Sequence, residues 1–238
     1  MVRISIAAAL TAMALPAFAG SIETPKNAAI DANFDIVKAS VTSAGGQLSF
    51  SIEVSGTAGG TRPAATGAML GSSVFAYVWP TSLDSSAVGF APSEGILALA
   101  VTAHPDFDDT PKYDEDGDGN AANDGKDWHA HWVVLAKDES CAGGLKVKDV
   151  APGIEVKMPA TAPGLPLLLD SPDVRPQAAG SVITLTVPMP DGGADLKFDG
   201  VTTGLRVNNE MKAPLLCVSD VFKIASGDLS LPGTVDAK

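Results

Sequence analysis

The stretch Asp127–Lys137, DWHAHWVVLAK, alternates without a break. His129, His131, Val133 and Leu135 fall on one side of a strand, and Trp128, Ala130, Trp132, Val134 and Ala136 fall on the other. Two of the three histidines in the chain therefore share a face, two residues apart. The third, His104, closes the preceding apolar run Gly95–His104, GILALAVTAH. Pairing the runs with His104 opposite His129 sets Thr102 opposite His131, Ala100 opposite Val133 and Ala98 opposite Leu135, all on one face. A slip of two residues keeps that parity. Three imidazoles, or two with Asp127, Asp106 or a water, make a donor set for zinc or copper. The plainer reading is that a short HxH pattern lines a wet strand edge. Trp128 and Trp132 point the other way and are read as core, with sugar stacking as the alternative.

Outward from this stretch the chain continues in short strands. Gln47–Ser55 alternates, with Leu48, Phe50, Ile52 and Val54 on one face and Ser49, Ser51, Glu53 and Ser55 on the other. Phe34–Thr42, Ser73–Trp79, Leu145–Val150, Ser181–Val187, Leu196–Phe198, Thr203–Asn208 and Leu215–Ile224 read as further strands, with an edge piece near Leu167. SVFAYVW carries bulky residues on both faces, the mark of deeper burial. Residues 151–176 hold six prolines and read as an extended crossing loop. Ser21–Ile30 and the stretch from Ser226 onward read as ragged ends. No segment keeps a 3.6-residue apolar period, so few helices are expected. The expected fold is all-β: an antiparallel β-sandwich, immunoglobulin-like or jelly-roll-like, with long loops.

Between the two histidine strands lies an acidic insertion, residues 105–126. From Pro105 to Asp127 there are nine acidic residues against two lysines. Within it Asp114, Asp116 and Asp118 recur at every second residue, followed by Gly119 and Asn120. Hard cations need several oxygens on a tight loop, so DEDGDGN predicts calcium. The spacing is similar to EF-hand and dockerin loops, but Gly125 stands where a bidentate Glu would close the shell. Asn123, Asp124 or Asp127 would complete it instead. A merely solvated acidic loop is the alternative. Met69, beside Leu70, is read as packing rather than as a soft ligand.

The N-terminus predicts an export signal over residues 1–19: Arg3, then an apolar run Ile4–Leu15, then Ala17-Phe18-Ala19 as a cleavage pattern. That run is short for a membrane span, and no later one is longer. The rest, residues 20–238, is expected to form one β-sandwich domain. Export to the periplasm or beyond makes a disulfide between Cys141 and Cys217 the default, stabilising by about 4 kcal/mol through chain entropy. The alternative is a pair of thiols available to a copper centre. A net charge of -12 argues against nucleic acid or an anionic membrane as partner.

Asp35–Thr42, the following small turn and Leu48–Ile52 resemble the start of DOMON and family 9 carbohydrate-binding β-sandwiches. The resemblance covers about thirty residues and implies the sandwich architecture alone. Some such domains bind sugars and some bind haem, but no ligand residue carries over. No P-loop, dinucleotide fingerprint, CxxCH or Gly-x-Ser-x-Gly elbow is present. The sequence therefore points first to an exported metal-binding β-protein, handling copper or zinc through His104, His129 and His131 and stabilised by calcium. It leans away from an enzyme. The alternatives are a calcium-dependent carbohydrate- or surface-binding module with a glycan or envelope-protein partner, and a metal-dependent enzyme.

Overall fold

The structure, a computed structural model, describes residues 20–110, 114, 119–120 and 124–237. Its strands, in chain order, are β1 (Ser21–Glu23), β2 (Ile36–Ala44), β3 (Gln47–Val54), β4 (Ser73–Pro80), β5 (Ile96–Ala103), β6 (His129–Lys137), β7 (Leu145–Val147) and β8 (Leu169–Asp170). There follow β9 (Gln177–Ala179), β10 (Val182–Pro188), β11 (Lys197–Phe198), β12 (Val201–Val207), β13 (Leu216–Ile224), β14 (Gly233–Thr234) and β15 (Asp236–Ala237). Helical structure among the described residues is limited to three short 3₁₀ turns. None of it is long and apolar enough to cross a membrane.

Six strands close on themselves. The order β5-β4-β12-β13-β7-β6 returns to its start because β5 also pairs with β6, and β8 pairs with β6 at Trp132 and Val133, ahead of the residues that pair with β7. The closure explains why β4, β5 and β6 are apolar on both faces. One face lines the barrel: Val74, Ala76 and Val78 from β4, Ala98 and Ala100 from β5, Val133 and Leu135 from β6, Leu205 and Val218 from β12 and β13. The other face, with Tyr77, Trp79, Leu97, Leu99, Val101, Trp132 and Val134, packs on a second sheet.

That second sheet has the order β1-β2-β3-β10-β9, with β15 beside β2. Leu48, Phe50 and Ile52 of β3 and Ile183, Leu185 and Val187 of β10 face the barrel, while Ser49 and Thr186 on the far side share a hydrogen bond of 2.5 Å. This half-buried sheet is the alternation seen in the sequence. Phe50 meets Trp79 and Trp132 edge-on at 5.9 and 6.2 Å, which knits sheet and barrel. Cys141 and Cys217 form a disulfide across a separation of 76 residues, tying the turn after β6 to β13 beside the thin strand β7. Their thiols are thus not available to a metal.

Three expectations need correction. The all-β reading with few helices stands, but a closed barrel against a sheet replaces the immunoglobulin or jelly-roll sandwich. Apolar residues on both faces of a strand fit either arrangement, so the pattern could not separate them. The ends are not ragged: β1 pairs with β2, β14 with β11, and β15 runs parallel to β2. The β5–β6 register is displaced by two residues, with Thr102 opposite His129, Ala100 opposite His131 and Ala98 opposite Val133. Parity survives, so the same side chains point inward. Residues 1–19, where the export signal was expected, lie outside the described residues.

Candidate metal centre

At one end of the barrel interior, β5 and β6 bring three imidazoles together. His129 and His131 project inward from the start of β6, and His104 follows the last residue of β5. The chain then turns back, and Asp109 completes the group. Asp108 drives that turn, its Oδ1 accepting from the Thr110 N–H at 2.8 Å and from the Thr110 hydroxyl at 3.0 Å. Asp109 Oδ1 stands 3.3 Å from His104 Nε2, 3.2 Å from His129 Nε2 and 3.3 Å from His131 Nε2. His104 Nε2 and His129 Nε2 are 2.9 Å apart. All four residues are buried.

The outer nitrogen of each ring is occupied. His104 Nδ1 lies 2.8 Å from the Phe107 carbonyl, and His129 Nδ1 lies 2.8 Å from the Asp127 carbonyl. His131 Nδ1 lies 3.0 Å from Ser171 Oγ, just after β8. A carbonyl can only accept, so the proton of His104 and of His129 belongs on Nδ1, and Nε2 offers a lone pair. Phe107 also stacks on His104 at 4.0 Å between ring centres. Behind it, Gly125 O accepts from the His104 N–H at 2.7 Å. A Cβ on Gly125 would lie 1.8 Å from Phe107 O. Glycine there serves this close approach.

Four electron-pair donors thus converge on one point. Burial opposes charge on Asp109, but His131 and His104 beside it hold its carboxyl well below the usual carboxylate range. Burial also opposes charge on His104, yet the Asp109 carboxylate and the Phe107 carbonyl push its imidazole up. Burial pushes the His131 imidazole down. With the ring proton of His104 and of His129 on Nδ1, Asp109 Oδ1 and His131 Nε2 lack a hydrogen-bond partner. A central cation satisfies all four at once. Donors at 2.0–2.1 Å from a tetrahedral ion stand about 3.3 Å apart. That matches the three Asp109 separations, so a transition ion fits this donor set.

The cluster forms one end of a cavity of about 290 Å³ inside the barrel. His104, His131 and Asp109 reach its wall beside Thr102, and the rest of the wall is almost wholly apolar. Small residues at Ala76 and Ala100 keep it hollow. The Thr102 hydroxyl, 3.2 Å from His129 Nε2, sets a polar group beside the donors.

The other expected ligands are elsewhere. Asp127 pairs with Arg62 at 3.2 Å and contributes its carbonyl, not its carboxylate, to the centre. Asp106 accepts from the Thr66 and Gly67 N–H groups at 2.8 and 2.6 Å. For calcium, Asp114 Oδ2 accepts from Gly119 N–H at 2.8 Å, and Asn120 is exposed. Asp116, Asp118, Asn123 and the side chain of Asp124 lie outside the described residues. Among those described, His104, Asp109, His129 and His131 form the grouping able to hold an ion, and no calcium site is assembled. The glycan reading also fails to find a platform. Trp79 and Trp132 are buried in the core, and Trp128 packs edge-on against Tyr77 with its Nε1 donating to Gly59 O at 3.0 Å.

Asp109 and Ser171 are the residues that sequence reasoning missed. The signal available for the first was Asp108-Asp109-Thr110, an Asx-turn pattern able to fold the loop back. Comparison of the chain with known protein families, with curated proteins and with solved structures finds no match. The lean away from an enzyme is overturned by the centre itself, four buried side chains able to hold an ion, three of them at the wall of a cavity inside the barrel.

Proposed function

We propose that this chain is a metal-dependent enzyme, with one transition ion held by His104, His129, His131 and Asp109. The observation that carries the reading is the convergence of four buried donors at the end of a hollow barrel. A protein that hands an ion onward needs ligands its partner can reach. Here they are buried inside the barrel, so copper or zinc handling is the weaker reading. Zinc comes first and copper second: the set is imidazole and carboxylate without thiolate, and its three Asp109–His separations suit a tetrahedral ion.

When bound, the ion supplies Lewis acidity or, for copper, a redox couple. The chain's own residues do the rest. Phe107 O, Asp127 O and Ser171 Oγ fix the three rings. Asp109 supplies the one anionic donor. The Val and Ala wall excludes water, and Thr102 offers a hydroxyl to whatever approaches the ion. The setting is an oxidising one, periplasmic or secreted, a proposal that the Cys141–Cys217 disulfide supports.

The test is the visible spectrum of protein loaded with cobalt(II), titrated with azide. A fifth coordination position, beside the four protein donors, gives a saturable shift in the ligand-field bands. A four-coordinate cobalt spectrum indifferent to azide would mean a closed structural site and would sink the enzymatic reading.

A further inference from the structure

We infer that the barrel interior is the binding pocket for a small monoanionic molecule with an apolar tail, its anionic head meeting the ion. The inference deepens the metal-enzyme reading and rests on it. It names the substrate class.

Charge sets the head. A divalent ion, three neutral imidazoles and one carboxylate leave one positive charge in an apolar enclosure. Among the described residues that line the cavity there is no lysine, arginine or glutamate, and Asp109 is the one aspartate. A single negative charge on the ligand neutralises that excess, whereas a cationic or doubly charged head leaves a buried charge unpaired.

The wall sets the tail. Val74, Ala76, Val78, Val133, Leu205 and Val218 offer it no hydrogen bond through their side chains. The cavity of about 290 Å³ holds about ten groups the size of a water or a methylene at roughly 30 Å³ each. Its shape is long. Thr102 pairs with His129 at the metal end and Ile96 with Leu135 at the other. At about 3.3 Å per residue that separation is about 20 Å. A medium-length alkyl chain suits that volume and fits within that length.

The far mouth is where such a molecule enters. Ile96 and Val221, on its rim, are 39% and 44% exposed, unusual for large apolar side chains in this molecule. Leu229 and Leu231 lie across it.

The experiment uses the full chain loaded with zinc, with zinc content checked by elemental analysis in every sample. Decanoate is titrated calorimetrically, beside acetate and decyltrimethylammonium. The expected result is one decanoate per chain, acetate weaker by at least about a hundredfold, and no binding of the cation. Removing zinc is expected to weaken decanoate by tenfold or more. Val78→Phe and Val218→Phe, two independent plugs of the hollow, are each expected to abolish decanoate binding and keep the zinc. Zinc held without decanoate binding, or decanoate bound equally by both plugged variants, overturns the inference and leaves the metal centre standing. Absence of zinc from the wild type overturns both.

Discussion

Asp109 Oδ1 stands 3.3 Å from His131 Nε2, and neither atom has a hydrogen-bond partner. The Ser171 hydroxyl can donate to His131 Nδ1 or accept from it; with the ring proton on Nδ1, Asp109 Oδ1 and His131 Nε2 are two buried acceptors face to face, at a cost of about 1–3 kcal/mol for each unsatisfied group. Asp109→Asn places an amide donor where the carboxylate was. We expect zinc affinity to fall by more than about a hundredfold, since a ligand is lost where even a supporting residue costs 10–100-fold. The metal-free variant, by the same logic, should melt higher than metal-free wild type. Chelator competition and calorimetry of both metal-free proteins check the pair of effects. A metal-free variant that melts lower would mean the two atoms are not in conflict.

Gly125 supports the centre from outside. A methyl group there meets Phe107 O at 1.8 Å and His104 O at 3.0 Å, both backbone atoms. Gly125→Ala should therefore shift the carbonyl that holds His104 Nδ1. The expected outcome is a loss of about 1–3 kcal/mol in stability and roughly tenfold in zinc affinity. Unchanged affinity in a folded variant would show that the Phe107 carbonyl does not position the ring.

Much of this was legible in residues 127–137. Strict alternation put His129 and His131 on one face, and the run to His104 supplied the neighbouring strand. Parity was enough to bring the three rings together, even though the register differed by two. Closure of the barrel was not legible, because β4, β5 and β6 are apolar on both faces and a sandwich core asks for the same pattern. The register was not legible because a long loop, unlike a tight turn, does not fix it. Asp109 was hidden for a related reason. Loops have no period, and one carboxylate among eight in the insertion carries no mark of its direction.

Tyr77 tests the packing between barrel and sheet. Its hydroxyl donates to Asn33 O at 2.7 Å and accepts from Gly59 N–H at 2.8 Å. Burial pushes its phenol up to about 12, against the Gly59 hydrogen bond, which lowers it. A raised value means the neutral form is favoured in the fold. Its stabilising effect is complete below pH ~10, the ordinary tyrosine value, and is lost as pH rises toward 12. Ultraviolet titration should show this tyrosine ionising late, together with unfolding. Ionisation near pH ~10 with the fold intact would contradict the burial.

The far mouth carries unusual backbone. Leu229 and Leu231 have φ of 59° and 53°, a region that glycine tolerates and leucine rarely adopts. Ser226 N–H donates to Asp199 Oδ1 at 3.1 Å, anchoring the segment. Leu229→Gly/Leu231→Gly removes both apolar covers and the strain. Stopped-flow association of decanoate with the zinc-loaded variant should speed up several-fold, with zinc content unchanged. Equal rates would place the entrance elsewhere.

The most direct measurement is the metal content of the purified chain beside His129→Ala/His131→Ala and Asp109→Ala. The four-ligand centre requires one transition ion per wild-type chain, zinc first, and its loss in both variants after dialysis against a weak chelator. An ion retained by Asp109→Ala as firmly as by wild type, or no stoichiometric ion in wild type after zinc loading, would contradict it.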